Sequence, residues 1–389
     1  MMKSKNVLVL ILPNWPQSAR LLKGVMAFAK AKGGWTLARL PESVFWISHI
    51  KGWKGDGIMA WVPTRQDARL IRKFGVPTVH LGGGLPEGIL PRVMTDNVAI
   101  GRMAAEHLLE CRFKRFAFVA RKGSYAVAER LRGFAEMLAA AGFKPMVFEV
   151  PSFSEDWRTW VKATKALERF LGEIPRPFAV MGCDDMRAKM ALDTCDVLGL
   201  KVPDEVGIVG VDNNEFVCEF SSPTLSSVQR ADFETGYRAA ELLDRLMNGA
   251  GHDGCDVLLP PPGVAKRMST RVLAVEDPLV RMTLDYIRDH IEEPFGAERL
   301  VEISGTSRRW LERRFKSEMH CTLHEHLTRA RLESAKEMIL GGEKRRMLDI
   351  AAACGFPSAT RFRLLFKRIE GTTPRAYARK ESPGRNPVV

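Results

Sequence analysis

The chain has 389 residues, enough for two or three domains, and contains no run of 18 apolar residues that would span a membrane. Its 59 Lys and Arg against 46 Asp and Glu give a net charge of +13, which favours an anionic partner such as nucleic acid. No lipidation motif or amphipathic anchor accompanies this charge, so membrane binding is not expected. The apolar run Val7–Leu12 is too short for a signal peptide, and seven cysteines without a CxxC pair indicate free thiols in a cytoplasm.

Strand-like apolar runs alternate with helix-like segments up to about residue 270. The runs are Val7–Leu12, Ile58–Val62, Thr78–Leu81, Phe116–Ala120, Met146–Val150, Phe178–Met181 and Val206–Val211. This alternation predicts a parallel, doubly wound α/β architecture that divides into two lobes.

Three segments of this block carry a further signal: RLRGF (Arg130–Phe134), AVMGCDDMRA (Ala179–Ala188) and VPDEVGIVGVDN (Val202–Asn213), the last followed by SPTLSSV. Together they resemble the effector domains of the lac repressor family. The resemblance implies a periplasmic-binding-protein-like domain over residues 1–270, in which two lobes close over a sugar in the cleft between them.

A sugar site needs charged partners for vicinal hydroxyls, and in an α/β sheet such groups collect at the carboxyl ends of strands. The resemblance implies that Asp212 and Arg130 bind hydroxyls of the ligand. Asp184 follows the strand Phe178–Met181 and stands where the family commonly has Asn, which would make this site more acidic. The alternative for both carboxylates is a cap of the following turn or helix, and for Arg130 an exposed helix charge.

The first lobe offers two more ligand-binding candidates, Asn14 after the first strand and Asp96. Asp96 also precedes the predicted helix Asn97–Glu110, so a role as its N-cap is the alternative. Trp15 is a candidate stacking platform for the apolar face of a sugar, with the core or a dimer surface as its alternatives.

Enzyme motifs are missing from the sequence. The GGG run at residues 82–84 follows a strand, but the sequence has no GxGxxG or Walker pattern. The HLGGG segment is similar to an esterase oxyanion loop, but the sequence contains no G-x-S-x-G nucleophile motif. Zinc-ligand spacing is also missing from the one cluster of candidate ligands, His320, Cys321, His324 and His326, for which an exposed helix start is favoured. We therefore expect no catalytic residue, metal or cofactor. A cytoplasmic α/β sugar-processing enzyme, or a sugar-binding protein with a basic helical appendage, is the alternative.

Residues 271–278 (RVLAVEDP) lack periodic hydrophobicity and end in Asp-Pro, which indicates a linker. A predicted helix at Leu279–Ile291 begins a C-terminal domain, to which we assign residues 279–381, with a tail at 382–389. Residues 344–389 carry eleven Lys or Arg and three Asp or Glu, so positive charge is concentrated in this part of the chain.

The C-terminal domain contains two predicted helix-turn-helix units joined by a helix at His326–Ile339. The first unit, Leu300–Glu318, has a helix, a turn at Gly305 and a basic helix capped by Ser307.

The second unit has a helix at Leu348–Cys354, a turn at Gly355 and a second helix from about Ser358 to Ile369. Its buried stripe is predicted from Phe362, Leu365, Phe366 and Ile369. Its other faces carry Arg361, Arg363, Lys367 and Arg368. This helix is expected to meet an anion, and a basic solvated helix in a bundle is the alternative.

The second unit fits the pattern IAxxxGFxSxxxFxxxFKxxxGxTPxxY, filled by Ile350, Ala351, Gly355, Phe356, Ser358, Phe362, Phe366, Lys367, Gly371, Thr373, Pro374 and Tyr377. The pattern resembles the AraC family of bacterial transcription regulators, which carries two such units in tandem. Leu364 departs from it, since the family often has Arg there, and a phosphate contact would pass to Arg361 or Arg363. The resemblance implies that both basic helices enter successive major grooves of double-stranded DNA, about 34 Å apart.

Base reading is expected from the early, solvent-facing residues of both basic helices: Arg308, Arg309, Ala359, Thr360 and Arg361. The cap Ser358 is also expected among the DNA-binding residues. Phosphate binding is expected from Arg313, Arg363 and Lys367. A lac-repressor-like sensor ahead of an AraC-type reader is similar to activators of pentose-utilisation genes. The similarity implies a sugar effector such as D-xylose, a homodimer and contact with RNA polymerase.

Overall fold

The computed structural model describes residues 4–11, 16–39, 50, 52–82, 85, 88–151, 157–251, 256–271, 274–275, 277–340 and 346–381. The chain divides into two compact units, residues 1–274 and 275–389, and the division falls within the predicted linker. In the described ranges, no helix has the length and apolar character needed to cross a membrane.

The described part of the first unit contains twelve strands and eight α-helices. The strands are β1 (Lys5–Leu10), β2 (Trp35–Arg39), β3 (Gly57–Ala60), β4 (Thr78–Leu81), β5 (Arg92–Thr95), β6 (Phe116–Arg121), β7 (Pro145–Val150), β8 (Phe178–Gly182), β9 (Val206–Val211), β10 (Ser226–Val228), β11 (Val257–Leu259) and β12 (Val264–Ala265). The helices are α1 (Pro16–Lys32), α2 (Arg65–Arg72), α3 (Asn97–Glu110), α4 (Tyr125–Ala140), α5 (Trp157–Gly172), α6 (Asp185–Val197), α7 (Glu215–Glu219) and α8 (Asp232–Met247), with a short 3-10 helix at Met268–Thr270.

The strands form two six-stranded sheets, ordered β11-β5-β4-β3-β1-β2 and β12-β10-β9-β8-β6-β7. All pairs are parallel except β12 with β10, so the doubly wound α/β architecture is confirmed with one antiparallel edge. Side chains alternate between the two faces of each strand. In β1, Val7 and Val9 therefore pack with α1 and α8, whereas Leu8 and Leu10 pack with α2. Helices cover both faces, which explains why the strands are apolar throughout.

The chain passes between the two lobes three times, from β5 into α3, from β10 into α8 and from β11 into β12. The carboxyl ends of the parallel strands in both sheets consequently face the space between the lobes. This arrangement creates a cleft whose walls are supplied by strand ends, with three connections on which the lobes can bend.

The seven strands predicted from apolar runs coincide with β1, β3, β4 and β6 to β9 within two residues, although Leu12 lies outside the described residues. The helix predicted at Asn97–Glu110 is α3. The apolar runs do not predict β2, β5, β10, β11 and β12, which have two to five residues each. β2, β5 and β10 mix polar or charged residues with their few apolar ones, and β11 and β12 are too short to show a period.

The second unit is helical throughout its described residues. Its helices are α9 (Pro278–Asp289), α10 (Ala297–Ser304), α11 (Arg308–Met319), α12 (Leu323–Leu340), α13 (Met347–Ala353), α14 (Ala359–Glu370) and α15 (Pro374–Glu381). Leu332 and Ala335 of α12 pack with Ile350 of α13 and with Phe362 and Phe366 of α14. The long connecting helix thus supplies the core on which the second helix-turn-helix unit folds.

Arg331 of α12 joins two distant parts of this unit. The Nη2 atom of this nearly buried side chain donates to the carbonyls of Glu293 at 3.0 Å and Phe295 at 2.9 Å, in the segment before α10. A Cβ at Gly355 would come within 2.9 Å of the same guanidinium. The turn of the second helix-turn-helix unit therefore needs glycine for two reasons. A side chain there would collide with Arg331, and the backbone is left-handed, at φ +67°.

The glycine of the RLRGF segment allows α4 to approach α3 closely. A Cβ at Gly133 would lie 2.0 Å from the carbonyl oxygen of Val98. We expect Gly133→Ala to lower the free energy of unfolding by about 1–3 kcal/mol, because the two backbones must separate. Gly172→Ala at the end of α5, where nothing lies within 4 Å, is the control and should change it by less than about 0.5 kcal/mol. Thermal unfolding measures both, and equal melting temperatures for the two variants would contradict the account.

Candidate functional site

A cavity of about 540 Å³ lies in the cleft between the two lobes of the first unit, a size in the range of small-molecule sites. The described lining from the first lobe carries no charged side chain and consists of Ile11, Gln17, Ser18, Leu21, Trp61, Pro63, Leu81 and Gly82. The charged lining residues belong to the other wall: Arg121, Lys122, Arg130, Asp184, Asp185, Arg187, Asp212 and Arg230. The cleft therefore combines an apolar wall with a charged one, as a sugar requires.

Asp212 and Arg130 meet in the cleft. Asp212 directly follows β9 in a left-handed backbone conformation, at φ +107°, and its Oδ1 lies 3.7 Å from Nη2 of Arg130. Arg130 on α4 is only 5% exposed, so the alternative of an exposed helix charge is wrong. Its Nε donates to Oδ1 of Asn97 at 2.9 Å and its Nη1 to the carbonyl of Cys183. These bonds hold the guanidinium against the carboxylate that it faces.

Asp184 caps a helix, which was the alternative considered for it, and it also lines the cleft. Its Oδ1 accepts a hydrogen bond from the backbone N–H of Arg187 at 2.9 Å, which caps α6. Its Oδ2 lies 3.5 Å from Nη1 of Arg187, and both side chains line the cleft. The cap therefore orients a carboxylate toward the cavity without consuming both of its oxygens.

Of the candidate ligand-binding residues in the first lobe, the structure describes Asp96 alone. Oδ1 of Asp96 accepts from the backbone N–H groups of Val98 at 2.9 Å and Ala99 at 3.1 Å, which is the N-cap alternative, and Asp96 is not among the described lining residues. Asn14 and Trp15 lie outside the described residues. The aromatic side chains in the described lining are Trp61, after β3, and Tyr125.

A chain of ion pairs links the first lobe to Asp212, and the sequence analysis missed it. Nη2 of Arg20, on α1, donates to the backbone carbonyl of Asp212 at 2.6 Å and to Oδ2 of Asp232 at 2.9 Å. Oδ1 of Asp232 accepts from Nε of Arg230 at 3.0 Å, and Nη1 of Arg230 lies 3.4 Å from Oδ1 of Asp212. The order is thus Arg20, Asp232, Arg230, Asp212, Arg130. Arg230 and Asp232 follow β10, whose short polar sequence gave no strand signal.

Asp185 is a second residue that the sequence analysis missed. It is 2% exposed, and its Oδ1 accepts from Oγ of Ser227 at 2.6 Å while its Oδ2 accepts from the N–H of Asn214 at 2.7 Å. Burial, and then the charge of Asp212, raises the pKa of Asp185 to about 8. At neutral pH the cleft therefore favours the protonated form of this carboxyl.

The second unit shows both predicted helix-turn-helix geometries. Gly305 and Gly355 have left-handed backbones at φ +61° and +67° and connect α10 to α11 and α13 to α14. Oγ of Ser307 accepts from the N–H of Trp310 at 3.4 Å, and Oγ of Ser358 accepts from the N–H of Arg361 at 3.2 Å. The predicted turns and caps are confirmed.

The predicted stripe of α14 is partly wrong. Phe362 and Phe366 are fully buried and Leu365 is partly buried, but Ile369 is 41% exposed. Ile369 stands in the last turn, one residue before the end of the helix at Glu370, and the core cluster does not include it among the described residues. The stripe therefore stops one turn earlier than its period suggests.

The predicted DNA-contacting residues lie at the surface of α11 and α14. Ala359 is half-buried and the others are exposed: Arg308, Arg309, Arg313, Ser358, Thr360, Arg361, Arg363 and Lys367. In α11, Nε of Arg308 donates to Oε1 of Glu312 at 2.9 Å and its Nη1 lies 3.4 Å from Oε1 of Glu298. Two carboxylates therefore pair with the exposed guanidinium of Arg308 in the structure.

The raised pKa of Asp185 makes the stability of the first unit depend on pH. The unperturbed pKa of an aspartate is about 3.8, so the folded state binds more protons than the unfolded state between about pH 4 and pH 8. The proton on Asp185 makes its full contribution to the free energy of unfolding below about pH 4. This contribution falls by on the order of 1 kcal/mol per pH unit as the pH rises, and it is lost once the pH passes about 8. Asp185→Asn, which keeps the shape without ionising, should gain melting temperature relative to the wild type as pH rises from 5 to 9. The exposed Asp193→Asn is the control, and parallel profiles for Asp185→Asn and the wild type would disprove the shift.

Comparison with known proteins agrees with the division of the chain into an α/β unit and a helical unit. A family model described as a periplasmic binding protein-like domain matches residues 105–270, and one described as a helix-turn-helix domain matches residues 300–380. The xylose operon regulatory protein of Escherichia coli (strain K12) is 29% identical over 384 residues, which is 96% of this chain and 97% of that protein.

Two solved structures give the same result. The xylose-binding transcription activator XylR matches with a TM-score of 0.66 and 28% identity over 97% of this chain and 98% of its own. The cellobiose complex of the regulator CelR matches with a TM-score of 0.55 and 25% identity over 69% of this chain and 86% of its own. These relatives are regulators and not enzymes, as the sequence analysis expected. The chain thus carries a periplasmic-binding-protein-like domain followed by a helix-turn-helix domain, and over almost its whole length it is similar to transcription regulators with the same domain order.

Proposed function

We propose that a sugar bound in the cleft of the first unit changes the affinity of the second unit for operator DNA. The observation that carries the proposal is the meeting of Asp212 and Arg130 at the strand ends, in a chain that also has two capped helix-turn-helix units. D-xylose is the first candidate, because a relative over nearly the whole chain regulates a xylose operon. The target genes would then be those for pentose use.

Within the cleft, each wall has a separate task. Vicinal hydroxyls find acceptors and donors in Asp212, Arg130 and Asp184. Trp61 offers an aromatic face for the C–H side of the ring, a role considered above for Trp15. Asp96 acts mainly by capping, and so fixes the start of α3 where the chain crosses between lobes.

Lobe closure transmits the signal. Arg20 of the first lobe already holds the carbonyl of Asp212, so a ligand that binds Asp212 also acts on a contact between the lobes. The sugar favours the closed arrangement only through its higher affinity for that state. In a cytoplasmic homodimer, closure changes the placement of two DNA-binding domains, and contact with RNA polymerase follows from the bound position.

Ligand binding can be tested by thermal shift of the full chain with pentoses, hexoses and their phosphates. A true effector at about 100 times its Kd should add roughly 2.7 kcal/mol of stability. Asp212→Ala should abolish the shift, because it removes the carboxylate between two guanidinium groups. Asp193→Ala, an exposed substitution on α6, is the matched control and should retain it. A shift that survives in Asp212→Ala would place the sugar elsewhere, and no shift with any sugar would refute a sugar effector.

DNA reading can be tested on sites selected from random DNA. Arg361→Ala should reduce discrimination at one base position by about 1–3 kcal/mol, because arginine pairs with guanine in bidentate fashion. Lys367→Ala should weaken specific and random DNA equally, because a phosphate contact carries no sequence information. Fluorescence anisotropy on matched and single-mismatch sites measures both. Equal losses on specific and random DNA for Arg361→Ala would overturn its assignment as a base reader.

A further inference from the structure

Leu364 is an exposed apolar side chain in the middle of the basic face of α14. Its exposed fraction is 67%, although it belongs to a helix whose Phe362 and Phe366 are completely buried. Successive helical residues are about 100° apart, so each phenylalanine lies about 160° around the helix from Leu364. Leu364 therefore points directly away from the core of its own unit.

The neighbours of Leu364 on this face are polar or cationic. Residues four and three positions away lie about 40° and 60° from it around the helix, and these are Thr360, Arg361, Lys367 and Arg368. All four are exposed. A leucine surrounded by three cationic side chains suits a polyanionic partner that also presents an apolar group at the centre of the contact. The major groove of DNA has this composition, with phosphates at its edges and the C5 methyl of thymine on its floor.

The two basic helices differ at this central position. Leu364 stands six residues after the cap Ser358, and the position six residues after the cap Ser307 in α11 is Arg313. Arg313 can donate hydrogen bonds to a phosphate or to guanine, whereas the side chain of Leu364 has no hydrogen-bonding atom. An apolar side chain discriminates bases only by burying apolar surface, and thymine is the base that presents a methyl group in the major groove.

We propose that Leu364 is a specificity-determining residue that packs against the C5 methyl of thymine in the half-site read by α14. The proposal rests on the entry of α14 into the major groove, and it assigns the two half-sites different chemistry. The half-site of α14 requires a thymine opposite Leu364. The half-site of α11 has no such requirement at the matching position.

The test replaces thymines by deoxyuridine, which removes the methyl and leaves the base pair intact. A tight site is selected from random DNA with the full chain, each thymine is replaced singly, and Kd is measured by fluorescence anisotropy. One thymine or two adjacent ones in one half-site should each weaken wild-type binding by about threefold to fivefold, the loss expected for one buried methyl. Leu364→Ala should bind the thymine site more weakly and should no longer distinguish thymine from deoxyuridine there.

Two further variants separate this contact from its neighbours. Leu348→Ala removes an exposed leucine of α13 that is not among the predicted DNA-contacting residues, and should leave the effect at the Leu364 position unchanged. Leu364→Arg should lose the methyl preference and increase the dependence of Kd on salt, because it adds a phosphate-binding charge. All variants are exposed substitutions, and their thermal melts should match the wild type.

The outcomes are distinct. If the wild type binds a specific site but deoxyuridine has the same effect in the wild type and in Leu364→Ala, this inference is wrong and DNA reading by α14 stands. If Leu364→Ala leaves the affinity unchanged, Leu364 faces something other than the bases and the inference is equally wrong. If the wild type has no preferred sequence at all, both this inference and the proposed base reading fail.

Discussion

The sensing unit depends on how buried charges are paired across its cleft. Asp232 is completely buried between the guanidinium groups of Arg20 and Arg230, and Arg230 in turn faces Asp212. A buried charge that loses its partner destabilises a protein by about 3–5 kcal/mol, so these residues cannot separate freely. Because Arg20 belongs to the first lobe and also donates to the backbone carbonyl of Asp212, the position of that lobe is tied to Asp212.

Under the proposed function, this arrangement would connect ligand binding to the position of the first lobe. A hydroxyl bound to Asp212 would change its pairing with Arg230, and through Arg230 the pairing of Asp232 with Arg20. The nearby Asp185 is kept neutral by burial, which limits the negative charge at the strand ends. The cleft thus holds charges in fixed, paired positions, where small changes in pairing favour one lobe arrangement over another.

In residues 275–389, turns and helix caps formed between residues close in sequence determine more of the structure. Each helix-turn-helix unit is set by a left-handed glycine and a serine cap, and Arg331 fixes the second turn to the segment before α10. The exposed faces of α11 and α14 are then free to differ in chemistry. Arg308 is held by two glutamates, whereas Leu364 offers only apolar surface. Two helices with the same turn and cap therefore present exposed surfaces of different chemistry.

The sequence predicted features that depend on neighbouring residues in the chain. Gly355, Ser358 and Phe362 each act within one turn of helix, so the second helix-turn-helix unit was located to within one residue of its observed bounds. The seven longer strands were found because their burial on both faces makes them apolar throughout.

The parts that sequence reasoning missed depend on distant pairing. Arg20 and Asp232 are 212 residues apart, and nothing in either segment indicates that they meet. The buried state of Asp185 requires Ser227 from another strand, so its pKa could not be inferred from the DDM triplet. Asp96 shows the opposite case, since its local role as a cap was visible beside the functional one.

The central claim is that the cleft and the DNA-binding helices are energetically coupled. The most direct test is the affinity of the full chain for its selected DNA site, measured by anisotropy without sugar and at a saturating concentration of the sugar identified by thermal shift. Coupling between sites is typically about 1–3 kcal/mol, so the account predicts a change in Kd of about fivefold or more. The same Kd in both conditions, with sugar binding verified in the same sample, would contradict it.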